Sequence, residues 1–323
     1  MNETGIDTRL VYGFLDAGKT SYIRDCIQND FFYKYGKTLI LCFEQGEETY
    51  DEDALAAKNA AVVYHDGAED IGAFCLRCIE SYRPDRVYVE MNAMTDGLPE
   101  RFPDCMRVTY AVTWIDWATL KLYYVNFRQM LSRMIAASQQ VIFRDCPSKE
   151  LLAPYSQDFR LMNQRASYLR RDPMGYHEKA FDLFLPFSLD DGEITVTEER
   201  YLPLWLDAFD HPEHYEGKTL RFTAPLELRR DEDNGPLSAG RVVMICCMAD
   251  LQFMAFELED ESGGNADDAN GGHIGGEHGG WVTMDAKGRV GTGAYGRRIL
   301  KLQPIAVRPS PPPAALILSS RPR

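Results

Sequence analysis

Short apolar, β-branched runs recur through the first half of the chain, separated by stretches with helical spacing. They predict strands at 8–13, 38–43, 61–65, 86–90, 107–115 and 140–143. Each run is apolar on both faces, as expected of strands covered by helices on either side. The clearest helix is predicted over 118–137, where Leu120, Tyr123, Phe127, Met130, Leu131 and Met134 fall three and four apart on one stripe. Alternating strands and helices imply an α/β fold with a mostly parallel sheet and flanking helices. Ligands of such sheets bind beyond the carboxyl ends of the strands.

A last strand-like run, Phe181–Phe187, closes this region, and the pattern then changes. Residues 188–217 are rich in acids, proline and turn formers. Beyond them, shorter runs with period-two alternation predict strands at 218–223, 225–229, 241–247, 252–258, 281–284, 288–291 and 298–306, with a turn at Asp233-Asn234-Gly235. That spacing predicts a small all-β barrel or sandwich. The expected domains are therefore 1–187 and 188–323. Residues 261–280, mostly Gly, Asn and acids, read as a loop without a core of its own. The Pro-rich tail near 310–320 is expected to lie extended along the barrel.

The first predicted strand runs into Gly13-Phe14-Leu15-Asp16-Ala17-Gly18-Lys19-Thr20-Ser21, which fits the phosphate-loop pattern G-x4-G-K-[ST]. A hydrophobic strand precedes it and an amphipathic helix follows. Glycines at 13 and 18 let successive amides converge on phosphate oxygens, and the helix adds its positive end. Asp16, Ala17 and Ser21 complete the loop. Lys19 would contact the β- and γ-phosphates, and the Thr20 hydroxyl would ligate Mg²⁺. Asp16 is unusual beside an anion; it points outward or acts through the metal. Glu90, at the tip of the 86–90 strand, reads as a catalytic acid that holds the metal's water shell or positions the attacking water; otherwise it is a surface carboxylate. Acids from Glu44 to Asp53 are a solvated loop or a mobile switch, with Glu44 the second catalytic candidate.

Of the 323 residues, 45% are hydrophobic and 26% charged, enough for a sizeable core. A net charge of −14 argues against nucleic acid as partner. No apolar run reaches the ~18 residues of a membrane span, and no secretory signal is evident at the N-terminus. Eight scattered cysteines and a phosphate loop suit a reducing cytoplasm.

These motifs resemble a known family. GFLDAGKTS is similar to the GFLGSGKTT of the CobW branch of the CobW/HypB/UreG phosphate-loop GTPases. Phe43-Glu44-Gln45-Gly46-Glu47 resembles its N-E-F-G-E switch, Val89-Glu90 with Met91-Asn92-Ala93-Met94 its I-E-x-x-G segment, and Trp114-Ile115-Asp116 its V-V-D strand end. The likeness spans about residues 8–145. It implies a GTPase that delivers a metal ion, commonly Zn²⁺ or cobalt, to a client protein. The sequence departs from the family at several points. Arg144-Asp145-Cys146-Pro147 stands where N-K-x-D reads guanine. Either Asp145 takes that role from a shifted loop or base specificity is relaxed, so the cofactor is GTP with ATP also admitted. Position 93 lacks the family's glycine, although Gly97 follows. In place of its C-x-C-C motif there is only Cys75 and Cys78 on a predicted helix, read as packing against the sheet or as a metal clip.

The second half resembles the C-terminal domain of YcgQ-like proteins. Glu216-Gly217-Lys218-Thr219-Leu220-Arg221-Phe222, the Gly240–Asp250 segment with Cys246-Cys247, and Trp281-Val282 carry the likeness. It implies an OB-like barrel and a membrane permease as partner. On a strand, Cys246 and Cys247 would point to opposite faces; one packs inward, and the other is a transition-metal ligand or reactive thiol beside Asp250, or both simply fill the core. His211 with His214, and His273 with His278 and Glu277, are weak Zn²⁺ or Ni²⁺ sites or plain surface residues.

The leading expectation is a nucleoside triphosphatase coupled to metal delivery, with a client-binding β domain. A nucleotide-binding adaptor with little hydrolysis is the alternative. A kinase of a small metabolite would need an acceptor lid that is not evident.

Overall fold

Two sheets organise the chain in the computed structural model, which describes residues 5–94, 100–227, 238–247, 249–259, 281–293 and 296–319. One compact unit runs up to Tyr155 and takes in Arg165–Asp182; the other holds Ser156–Gln164 and the chain from Leu183 onward.

In the first unit β1 (Ile6–Gly13), α1 (Lys19–Asn29), β2 (Thr38–Cys42), α2 (Glu52–Ala56), β3 (Ala60–Tyr64), α3 (Ile71–Tyr82), β4 (Arg86–Asn92), β5 (Met106–Asp116), α4 (Trp117–Asn126), α5 (Arg128–Ala136) and β6 (Gln140–Arg144) follow one another. After α6 (Ser156–Met162) of the second unit come β7 (Ser167–Arg171) and β8 (His177–Lys179). The sheet order is β3-β2-β4-β1-β5-β6-β7-β8. Every pair is parallel except β7 with β8. This is the α/β architecture that the alternating pattern predicts. Leu39, Ile40 and Leu41 are wholly buried, as strands covered on both faces must be; each such side chain stabilises by about 1.5–3 kcal/mol. Ile23 and Ile27 of α1 pack with Val11, Ile40, Tyr88 and Trp114 in one core cluster.

Register matters for function. Gly13 lies opposite Asn92 and Trp114, Cys42 opposite Glu90, and Asp116 opposite Arg144. The carboxyl ends of five strands therefore meet at one edge.

The helix predicted over 118–137 is two helices. Phe127 leaves helical geometry at φ −127°, ψ 33°, and its ring lies 6.3 Å from that of Phe14, which itself stacks on Tyr123 at 3.6 Å. Phe181–Phe187 is no strand. Phe184 is 78% exposed, and the edge position falls to β8 instead.

The second unit contains β9 (Glu193–Thr195), α7 (Glu198–Asp210), β10 (Thr219–Glu227), β11 (Ser238–Met244), β12 (Leu251–Leu258), β13 (Trp281–Thr292), β14 (Arg298–Pro309) and β15 (Ile317–Ser319). Their order is β15-β11-β12-β14-β13-β10-β9, and β10 also pairs with β11. That extra pairing closes a five-stranded ring, β10-β11-β12-β14-β13, in which β12 and β14 are parallel and the other pairs antiparallel. The predicted pairs 218–223 with 225–229, and 281–284 with 288–291, are each one continuous strand. Tyr201 and Trp205 of α7 donate to the carbonyls of Met254 and Ala255 at 2.8 and 3.2 Å, fixing the helix to β12. The tail pairs with β11 in parallel through β15 and buries Leu318. The turn at 233–235 and the loop 261–280 lie outside the described residues. Among the described residues no helix is long and apolar enough to cross a membrane.

Candidate functional site

The loop after β1 needs its glycines for two different reasons. A Cβ on Gly13 would stand 2.7 Å from the Trp114 carbonyl oxygen, so only glycine lets the end of β1 press on β5. Gly18 has φ +95°, a conformation that L side chains rarely adopt. A Cβ there would also meet the Arg144 side chain at 2.9 Å. Gly18→Ala should cost about 1–3 kcal/mol in backbone strain and displace Arg144. Thermal unfolding and nucleotide titration of this variant should both show losses.

Asp16 is the second left-handed residue of the loop, at φ 57°, a place that aspartate tolerates better than most residues. Its Oδ1 accepts from the Glu47 amide at 3.2 Å. It thus braces the 44–48 segment instead of filling the loop.

Lys19 opens α1 and is 1% exposed. Its Nζ donates to the carbonyls of Phe14 at 2.6 Å and Gly13 at 3.2 Å, and pairs with Glu44 Oε1 at 2.6 Å. Glu44 Oε2 is buried without a hydrogen bond of normal geometry, although Asn92 lies close enough to favour its charge. Burial pushes the Glu44 carboxyl above its ordinary range; Lys19 opposes that shift, and Glu90 adds to it.

Thr20 Oγ1 donates to Glu90 Oε1 at 2.6 Å, and the Tyr50 hydroxyl donates to Oε2 of the same carboxylate. Glu90 is 1% exposed. Burial, then the Glu90 charge, drives the Tyr50 phenol far above its usual value and the Cys42 thiol up to about 12. Cys42 Sγ donates to the Glu44 carbonyl at 3.1 Å. Ser21 Oγ donates to Glu48.

The side chains of Lys19, Thr20 and Ser21 thus each face a carboxylate. Lys19, Thr20, Glu44 and Glu48 line a cavity of about 180 Å³ together with Asp16, Gly18, Gly46, Glu47, Asp116 and Arg144. A second cavity of about 340 Å³ shares Thr20, Glu44, Gly46 and Glu48 and reaches Glu90 and Tyr50. Oxygen donors from Thr20 and Glu90, with the unsatisfied Glu44 Oε2 nearby, fit a hard cation such as Mg²⁺.

Tyr50 and Glu48 line these cavities without having been singled out by pattern, and Asp116 entered only through the resemblance of its strand end to a family motif. Arg144 was noted only as a departure from a motif. The signal that finds it is positional: β6 ends at the same sheet edge as β1, β2 and β4. Its Nη1 reaches the Asp16 carbonyl at 3.3 Å and its Nε the Asp145 carboxylate at 2.8 Å.

The remaining candidates lie elsewhere. Cys75 and Cys78 are buried on one face of α3, and burial pushes the Cys75 thiol up to about 12. Cys246 and Cys247 follow β11 in a bend and are not part of the strand, so they do not point to opposite faces. Their sulfurs are 3.8 Å apart, and Cys246 Sγ lies 3.3 Å from Asp250 Oδ2. Burial, followed by the Asp250 and Cys247 contacts, pushes Cys246 up to about 12. His211 and His214 stack at 4.9 Å, with His214 Nδ1 2.8 Å from Asp207 Oδ2. Among the described residues, no three His, Cys, Asp or Glu side chains are placed to hold a metal ion. His273, Glu277 and His278 lie outside the described residues.

Residues 176–270 match the family described as the DUF1980 C-terminal domain. No curated protein matches the sequence. Among solved structures, the chain is similar to the hydrogenase maturation factor HypB from Archaeoglobus fulgidus (15% identity, TM-score 0.38, covering 53% of this chain and 83% of that one). It is similar to a zinc-bound triple mutant of YjiA GTPase (14%, 0.39, 71% and 74%). It is also similar to HypB from Helicobacter pylori in complex with nickel (12%, 0.32, 52% and 79%).

Proposed function

We propose that the first unit binds and slowly hydrolyses a nucleoside triphosphate, GTP with ATP also admitted, and that this cycle serves metal handling. One observation carries the reading: Lys19 and Thr20, at the N-terminus of α1 on the carboxyl edge of a parallel sheet, face two buried carboxylates, Glu44 and Glu90. Loop amides between residues 13 and 21 would cradle the phosphates while the helix end favours their charge. Lys19 would exchange Glu44 and the two carbonyls for phosphate oxygens. Thr20 would hold Mg²⁺, which neutralises charge building on the phosphates. Glu90, with Glu44 beside it, would orient the attacking water. Catalysis here is positional.

A second reading, a nucleotide-sensing adaptor with little turnover, is favoured by the occupation of Lys19. Every triphosphate must first break its pair with Glu44. The OB-type reading of the five-stranded ring makes the second unit the docking module in either case, toward a metalloprotein client or a permease. A metal cargo, Zn²⁺ or another transition ion, is implied by the sequence resemblance; the Cys246 and Cys247 thiols, 3.8 Å apart, would supply part of its donor set, the rest coming from outside the described residues.

The test is phosphate release from GTP and from ATP in Mg²⁺, with Lys19→Ala as control. Equal rates for the two proteins remove the hydrolase; binding without turnover leaves the adaptor. Zn²⁺ titration should weaken at least tenfold in Cys246→Ser and Cys247→Ser, since thiolates are strong zinc ligands. Unchanged affinity in both ends the role of that pair.

A further inference from the structure

We propose that Arg144 is a phosphate-binding residue, its guanidinium gripping the phosphate chain of the ligand beside Lys19. The inference rests on reading the Gly13–Ser21 loop as a triphosphate site, and it adds a second cation that the loop pattern does not contain.

Three observations converge. The first is place. Arg144 ends β6 opposite Asp116 and lies against the left-handed turn of the loop, its Cδ and Nη1 each 2.9 Å from where a Gly18 Cβ would sit. The glycine therefore makes room for the guanidinium as well as for the turn. The second is charge. The cavity lining carries the carboxylates of Asp16, Glu44, Glu47, Glu48 and Asp116 against only Lys19 and Arg144. Lys19 is already paired with Glu44. An anion entering so acidic a cavity needs further positive charge, and Arg144 supplies it from the lining itself. The third is geometry. Asp145 holds Arg144 through Nε at 2.8 Å, and the contact of Nη1 with the Asp16 carbonyl is long at 3.3 Å. The side chain is 27% exposed, so it has room to turn. A planar guanidinium held at Nε, whose Nη1 makes only this long contact, suits bidentate grip on phosphate oxygens, which a lysine cannot reproduce.

The experiment is calorimetric titration with inorganic tripolyphosphate, GTP and ATP, all with Mg²⁺, on wild type, Arg144→Gln, Arg144→Lys and Arg171→Gln. Tripolyphosphate separates contact with the phosphates from contact with the base. Arg171 lies beside Asp145, at 3.8 Å, and does not line the cavity. Arg144→Gln should weaken all three ligands by about 10- to 100-fold, the range of a charge-assisted hydrogen bond. Arg144→Lys should recover part of the loss, and Arg171→Gln should bind like wild type. Wild-type affinity for tripolyphosphate in Arg144→Gln would overturn the proposal. So would a loss confined to GTP, which would place the guanidinium on the base. An equal loss in Arg171→Gln would reduce the effect to general charge. If the wild type binds none of the three, the nucleotide reading itself fails; if it binds all three and Arg144→Gln does too, only the present inference fails.

Discussion

Lys19→Ala is expected to abolish triphosphate binding and, at the same time, to destabilise the empty protein by about 2–3 kcal/mol at neutral pH. The second effect follows from burial. Lys19 and the Glu44 side chain are 1% and 7% exposed and 2.6 Å apart, and removing one member of a buried pair strands the other. Glu44 is already held above the ordinary carboxylate range by burial, with Lys19 pulling the other way. Without Lys19 that value rises further. A carboxyl whose folded value is raised binds its proton more tightly in the native state. Its ionisation therefore lowers stability as pH climbs from the ordinary carboxylate range through the raised value. The cost of Lys19→Ala should accordingly shrink between pH 7 and a lower pH, as Glu44 takes up a proton. Lys19→Ala/Glu44→Gln should restore stability at pH 7 without restoring binding. Urea unfolding at the two pH values measures all of this. A cost that does not vary with pH, or a double variant as weak as the single one, would show that the pair is not what holds Glu44.

The phosphate loop and its strand were legible in the sequence because they are local. A glycine pattern, an apolar strand and an amphipathic helix all fall between Ile6 and Asn29. The strands β2, β4 and β6 were legible for a related reason: each is a short, mainly apolar run with a buried centre, while β3 is half-buried and β5 is buried mainly in its second half. What failed was non-local or looked like something else. Phe181–Phe187 is apolar at every position but Asp182, like a covered strand, yet Phe184 turns to solvent. The strands β7 and β8 are short and charged at the sheet's edge, so they carry almost no apolar signal. The helix α7 hid behind Pro203 and a high acid content, although its buried face includes Tyr201, Leu202, Leu204 and Leu206. The stripe over 118–137 continues across Phe127 because a break in backbone angles need not interrupt side-chain spacing. Likewise, a bend after Met244 is invisible in a run as apolar as Arg241–Cys247. In the site, Glu44 and Glu90 could be picked out one at a time from their positions at strand ends, whereas Arg144 stood out only as a departure from a motif. Their meeting could not be picked out, because it depends on β4 and β2 lying on one side of β1 and β5 and β6 on the other. No spacing within a single segment encodes that order.

Glu90→Gln should separate function from stability in sign. Glu90 is 1% exposed and accepts from Thr20 and Tyr50, but it forms no ion pair among the described residues. A buried carboxylate with no cationic partner is costly to keep, because hydrogen bonds repay just part of its lost hydration. Glutamine removes that charge at nearly equal volume and still offers one oxygen as acceptor. One of the two hydroxyls must then find a new partner, at a cost of about 1 kcal/mol. The two effects oppose each other, so the variant should match wild type in stability to within about 1 kcal/mol or exceed it. Phosphate release should nevertheless fall by about 10²–10³, the range seen when a single preorganised polar group at a reacting centre is lost. Nucleotide affinity with Mg²⁺ chelated should hardly move, since Glu90 touches the loop only through Thr20. A residue kept at a cost in stability and needed for turnover fits a functional site better than a structural one. If Glu90→Gln instead unfolds at much lower urea and hydrolyses at the wild-type rate, the carboxylate serves only to brace Thr20 and Tyr50. The catalytic acid must then be sought at Glu44, whose second oxygen is buried without a hydrogen bond of normal geometry.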